Sequence, residues 1–170
     1  FKDKKTATVK GVVTIHKVDE KQILFEFPLS VMGKDMMFGS TVAEISNNEH
    51  SVLGYKSKQP SHIKFVKEAD YVNLVLVNSL YTTEQENLKK AVAKSTIGGI
   101  FKSFPIKAWT KDSTAVVFDA TSLFLSHIAD IDPFDPYFGY GQKPYSRNVS
   151  FEKDRSHLAD IKSFDDNFSV

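Results

Sequence analysis

The strongest pattern along the chain is alternation of apolar and polar positions with a period of two. Between Val9 and His16, residues Val9, Gly11, Val13 and Ile15 fall on one face and Lys10, Val12, Thr14 and His16 on the other. After the polar run Asp19-Glu20-Lys21-Gln22, residues Ile23, Phe25 and Phe27 alternate with Leu24 and Glu26, which predicts a hairpin with a longer loop. Pro28 lacks a backbone donor and ends that arm. Leu29, Val31 and Met32 ahead of Gly33 predict one short helical turn closed by glycine. A third strand is predicted over 35–45, with Gly39 as a bulge. Residues 46–61 are rich in Asn, Ser, Gly and Lys and read as a long surface loop.

A second hairpin follows. Ile63, Phe65 and Val66 form one arm, Glu68-Ala69-Asp70 the turn, and 71–77 the other arm. That second arm is apolar on both faces, which predicts a central strand. The main helix is predicted over 83–94, because Thr83 and Glu86 have the spacing of a capping box and Gly98-Gly99 supply a stop. A strand over 100–109 carries Pro105, which predicts an edge or a bulge there. Lys111-Asp112-Ser113 is a turn, 114–119 another strand, and Thr121 the cap of a short helix carrying Leu123, Phe124 and Ile128.

Residues 132–145 break the pattern. Pro133, Pro136, Pro144, Gly139 and Gly141 stand among Phe134, Tyr137, Phe138, Tyr140 and Tyr145, which argues for an ordered loop pinned by aromatic contacts. The tail from Asn148 alternates weakly, and its last residues look like a strand cut short. Strands and helices do not alternate. The predicted class is therefore α+β: a mainly antiparallel sheet with one main helix and one or two short ones.

Composition narrows the functions. Lys plus Arg total 22 against 21 for Asp plus Glu, a net charge of +1, so the basic surplus that a phosphate lattice requires is missing and nucleic acid is not expected as a partner. No apolar run approaches the roughly 20 residues of a membrane span. With 41% hydrophobic residues the 170-residue chain can build a core, and its length suits one domain. The 14 Phe point to an aromatic one. The absence of cysteine excludes disulfides and thiolate chemistry.

Candidate chemistry is sparse. His16, His50, His62, His127 and His157 include no pair spaced to place two imidazoles on one metal, so His16 and His62 read as solvent-facing strand residues. Asp130, Asp132 and Asp135 lack the glycine and distal Glu of a calcium loop and fit Asp-Pro turns better. Asp119, at a strand end before Thr121, is either a buried functional acid or a helix cap, and capping is favoured. Lys89, Lys90 and Lys94 form a solvated helix face. The aromatic loop serves recognition or simply anchors a long connection. No catalytic or metal-binding residue is assigned. The interaction candidates are Phe134, Tyr137, Phe138, Tyr140 and Tyr145.

Four segments together carry a family resemblance: Gly11-Val-Val-Thr-Ile-His-Lys-Val, the stretch from Ile23 to Met36, the stretch from Trp109 to Phe124 containing Asp-Ser-Thr-Ala-Val-Val-Phe-Asp-Ala-Thr, and Asp154-Arg-Ser-His-Leu-Ala-Asp-Ile-Lys-Ser-Phe. The chain resembles the N-terminal, non-catalytic region, a domain of unknown function, of large secreted zinc-dependent metalloproteases of Gram-negative bacteria. The resemblance implies a single accessory domain over 1–170, periplasmic or extracellular, truncated before a metzincin-like catalytic domain. It implies zinc only in that later domain, which would be the principal partner. The alternative is an independent peptide- or glycan-binding module using 132–145. A weaker third reading is a hydrolase acting through Asp119, Asp130 or Asp132, which needs paired carboxylates in a cleft.

Overall fold

The computed structural model describes residues 6–44, 52–56, 59–77, 85, 98–128 and 151–170. Their dominant feature is an eight-stranded sheet of β1 (Ala7–Val9), β2 (Thr14–Asp19), β3 (Gln22–Pro28), β4 (Met36–Phe38), β5 (Ser61–Glu68), β6 (Tyr71–Leu76), β7 (Ile100–Trp109) and β8 (Ala115–Asp119). Its order is β1-β2-β3-β8-β7-β6-β5-β4, and every pair is antiparallel. Helix among the described residues is limited to α1 (Thr121–Phe124) and two 3-10 turns, Leu29–Val31 and Lys153–Arg155. A two-stranded hairpin, β9 (Lys162–Ser163) and β10 (Phe168–Ser169), completes the elements. The described residues are thus mostly antiparallel β with very little helix. The main helix expected over 83–94 lies outside the described residues, Gln85 aside.

The sheet is curled. Strands β3 and β5 are four positions apart in the order, and flat neighbours at roughly 4.8 Å would put them roughly 19 Å apart. Instead the rings of Phe27 on β3 and Phe65 on β5 have centroids 4.7 Å apart. The 3-10 turn after Pro28 bridges the gap: Leu29 N–H donates to Thr114 O at 2.9 Å and Gly33 N–H to Phe65 O at 2.8 Å. Gly33 has φ +74°, a region that suits glycine, so the turn closes as its sequence predicts. The concave face holds the core. Phe25, Phe27, Phe65, Phe104 and Phe118 are each less than 2% exposed, or about that for Phe104, and Phe118 contacts the other four.

The first hairpin differs in detail from its prediction. The run 9–16 is not one strand: β1 and β2 are separated by a bend at residues 11–13. A Cβ on Gly11 would collide with the backbone O of Phe164, and Val12 N–H donates to that oxygen at 2.6 Å. The bend is where the C-terminal hairpin docks. The arms then run on to Asp19 and Gln22, which pair directly, so the loop is a two-residue turn at Glu20-Lys21. The third predicted strand shortens to β4, because the chain leaves the sheet at Gly39, which packs against Pro60.

Around Pro105, β7 is one-sided and followed by a bulge between Ile106 and Ala108, as its sequence predicts, although the strand as a whole is internal to the sheet. β7 lies between β6 and β8, and Pro105 sits where it changes partner: residues up to Pro105 pair with β6, those from Ile106 onward with β8. A residue without a donor costs least at such a handover. The central placement of β6 and the turn at Ala69-Asp70 agree with the sequence reading. The last residues do not form an orphaned strand. β10 pairs with β9, and the Phe168 ring meets Phe25 edge-on at 5.3 Å.

Candidate functional site

A cleft of about 710 Å³ opens where the β2–β3 turn, the middle of β7, the end of β8, α1 and the 3-10 turn at 153–155 converge. Phe104 and Leu125 give it apolar wall; Gln22, Lys107, Asp119 and Thr121 give it polar groups. Register explains the gathering. Leu24 pairs with Asp119, which puts Gln22 on the same face two residues away, and the bulge between Ile106 and Ala108 turns Lys107 toward the carboxylate.

Asp119 is fully engaged. Its Oδ1 accepts from Thr121 N–H at 3.0 Å, and its Oδ2 accepts from Lys107 Nζ at 2.9 Å and Gln22 Nε2 at 3.2 Å. Burial pushes this carboxyl up, but the hydrogen bonds from Thr121, Lys107 and Gln22 outweigh it and hold it at about 2. At neutral pH it is a carboxylate with no proton to donate, and both of its oxygens already accept hydrogen bonds. Its bond to Thr121 N–H, two residues on, is a local turn ahead of α1, but Asp119 is not the helix cap that the sequence favoured. The helix N-cap itself is Ala120, so Thr121 is the first helical residue and not the cap. The Thr121 hydroxyl instead turns to β3, accepting from Ile23 N–H at 3.0 Å. No second carboxylate lines the cleft among the described residues.

The lysines around the cleft hold structure. Lys21 Nζ donates to three backbone oxygens, those of Lys153 (3.0 Å), Asp154 (3.1 Å) and Ser156 (2.5 Å). Lys102 Nζ donates to Ser122 O at 2.6 Å and Ser126 Oγ at 3.3 Å, and burial lowers its pKa. That pair has the composition of a serine–lysine dyad. Yet the Ser126 hydroxyl donates to Ser122 O at 2.6 Å, so its proton points away from the amine. Both groups close the C-terminal end of α1.

Two histidines have partners that the sequence reading missed. On the convex face, His16 Nδ1 lies 2.9 Å from Thr8 Oγ1 and its Nε2 3.3 Å from Glu26 Oε2. His62 Nε2 lies 2.6 Å from Asp35 Oδ1, and Lys64 Nζ is 3.2 Å from the same oxygen. Contacts with His62 and then Lys64 lower the Asp35 carboxyl. The hydroxyl–imidazole–carboxylate row on β1, β2 and β3 imitates a catalytic triad, but none of its members lines the cleft. The signal was in the register: cross-strand and diagonal neighbours on one face follow once the tight turn at Glu20-Lys21 is known. Among the described residues no three His, Asp or Glu side chains are grouped to hold a metal ion. No helix of the described residues is long and apolar enough to cross a membrane.

Phe134, Tyr137, Phe138, Tyr140 and Tyr145, together with Asp130, Asp132, Asp135 and His50, lie outside the described residues. Asp165-Asp166 occupies the bend between β9 and β10.

The fold and cleft define a curled antiparallel β domain whose polar clusters are mostly satisfied internally. Residues 54–170 match the family described as Domain of unknown function (DUF5117), and residues 1–45 match Domain of unknown function (DUF5118). The chain belongs to the DUF5117 family, whose match covers well over half of it. No curated protein and no solved structure matches the chain.

Proposed function

We propose that the chain is a non-catalytic accessory domain of a zinc-dependent metallopeptidase, exported to the periplasm or beyond, that packs beside the catalytic domain and helps position substrate. In this reading residues 1–170 act as one domain of α+β class with its main helix over 83–94, and zinc resides only in the catalytic domain. One observation supports the non-catalytic part: the one carboxylate that lines the cleft among the described residues is held on both oxygens by Thr121, Lys107 and Gln22 and has no proton to give. The sequence resemblance in the stretches around Ile23–Met36 and Trp109–Phe124 supports the peptidase context. The peptide- or glycan-binding alternative rests on residues 132–145, on which the described residues do not bear.

The test is direct. The purified chain is assayed for zinc by mass spectrometry and for hydrolysis of casein and a mixed peptide library. Sub-stoichiometric zinc and no turnover are expected; stoichiometric zinc with turnover overturns the reading. Binding of the chain to a separately produced catalytic domain, measured by calorimetry, tests the partner.

A further inference from the structure

Resting on the reading of 1–170 as one domain but not on its role beside a peptidase, we infer that the junction between the two matched segments is not a domain boundary, and that residues 54–170 carry a built-in docking surface whose occupant is residues 6–44. The surface has three parts. The first is the open edge of β8, where β3 pairs over Leu24–Pro28 with Asp119–Ala115. The second is the open edge of β5, where β4 pairs over Met36–Phe38 with Ile63–Ser61. Without residues 6–44 both edges present unpaired backbone groups, the arrangement that leads to adventitious strand pairing. The third is the concave face. Of the 19 buried residues of that core among those described, six belong to 6–44: Val13, Ile15, Ile23, Phe25, Phe27 and Val31. Phe27 alone touches Phe65 and Phe118, and Phe25 touches Phe118, Phe124 and Phe168.

The occupant is also gripped from outside. Lys17 Nζ donates to Ala159 O at 2.8 Å, Leu158 N–H donates to Glu20 O at 2.8 Å, and Ser163 Oγ donates to Val13 O at 2.6 Å. With the three bonds of Lys21, these tie the segment to the stretch at 151–170. Residues 6–44 therefore supply four of the sheet's eight strands and are tied over 12–21 to the C-terminal segment, which two separately folding domains would not allow. A polypeptide carrying the second segment without the first is predicted to be incomplete, and one supplied with the first in trans to be restored.

The experiment starts from the intact chain, with a protease recognition sequence inserted between residues 46 and 53 and cleaved after folding. The nicked pieces are expected to co-elute, to unfold in one transition, and to separate only in denaturant. The isolated piece 54–170 is then expected to lose the near-ultraviolet signal of its aromatic core and to regain it when 1–45 is added back. In the uncut chain, Val13→Ala is expected to speed amide exchange in β3, β8 and β5 by a common factor of roughly ten. A separated 54–170 that unfolds cooperatively with β8 still protected overturns the inference. Faster exchange confined to β1–β3 overturns it equally.

Discussion

Single residues in this protein are fixed less by what they could react with than by what they lie against. Gly11 is the sharpest case, since any Cβ there meets the backbone of Phe164. Gly11→Ala is expected to destabilise the fold by about 1–3 kcal/mol, measured by urea unfolding, with the added exchange concentrated at 161–168. Asp119 gives a pH signature. Its folded carboxyl is held at about 2 against an ordinary value of 3.8, so it contributes stability that is present above pH 3.8 and is lost as pH falls toward 2. Asp119→Asn is expected to flatten the acid limb of a stability–pH curve across that window and to leave its slope near neutrality unchanged. Lys21 acts through its three hydrogens. Lys21→Met keeps the stem and removes the donors; a loss of about 1 kcal/mol is expected, with faster exchange at 153–158 read by mass spectrometry.

At the scale of elements, the curl of the sheet rests on a layer of rings bridging β3, β8 and β5. Phe27→Ala removes the ring that closes it and is expected to cost about 3–5 kcal/mol in denaturant unfolding, while a surface change such as Lys64→Ala stays within about 0.5 kcal/mol. Much of this scale was legible from the sequence. Alternation over 23–27 and 71–77 is a local pattern, and Pro28 and Gly33 act on their own neighbours, so strand ends and the 3-10 turn could be read residue by residue. What alternation could not reveal was partnership. Pro105 announces a one-sided or bulged stretch in isolation, but which strands lie on either side of it, β6 before and β8 after, is set by the handover between them. In the same way the apolar period at 9–16 continued through Gly11, where contact with a segment 150 residues away bends the chain out of the strand. The candidate site was legible at one residue: Asp119 stood out by its place before Thr121, but Lys107 and Gln22 join it through a bulge and a strand pairing that no local window contains.

For the whole molecule, chain order and spatial order diverge. The first strands sit at both margins of the sheet, and the last residues lie against the first. The bond from Val12 to Phe164 and that from Ser163 to Val13 place residues near the two ends of the chain side by side. Tension applied at residues 6 and 170 would thus load this contact together with the ties of Lys17, Glu20 and Lys21 to 153–159, so the two segments would part only when several bonds fail together.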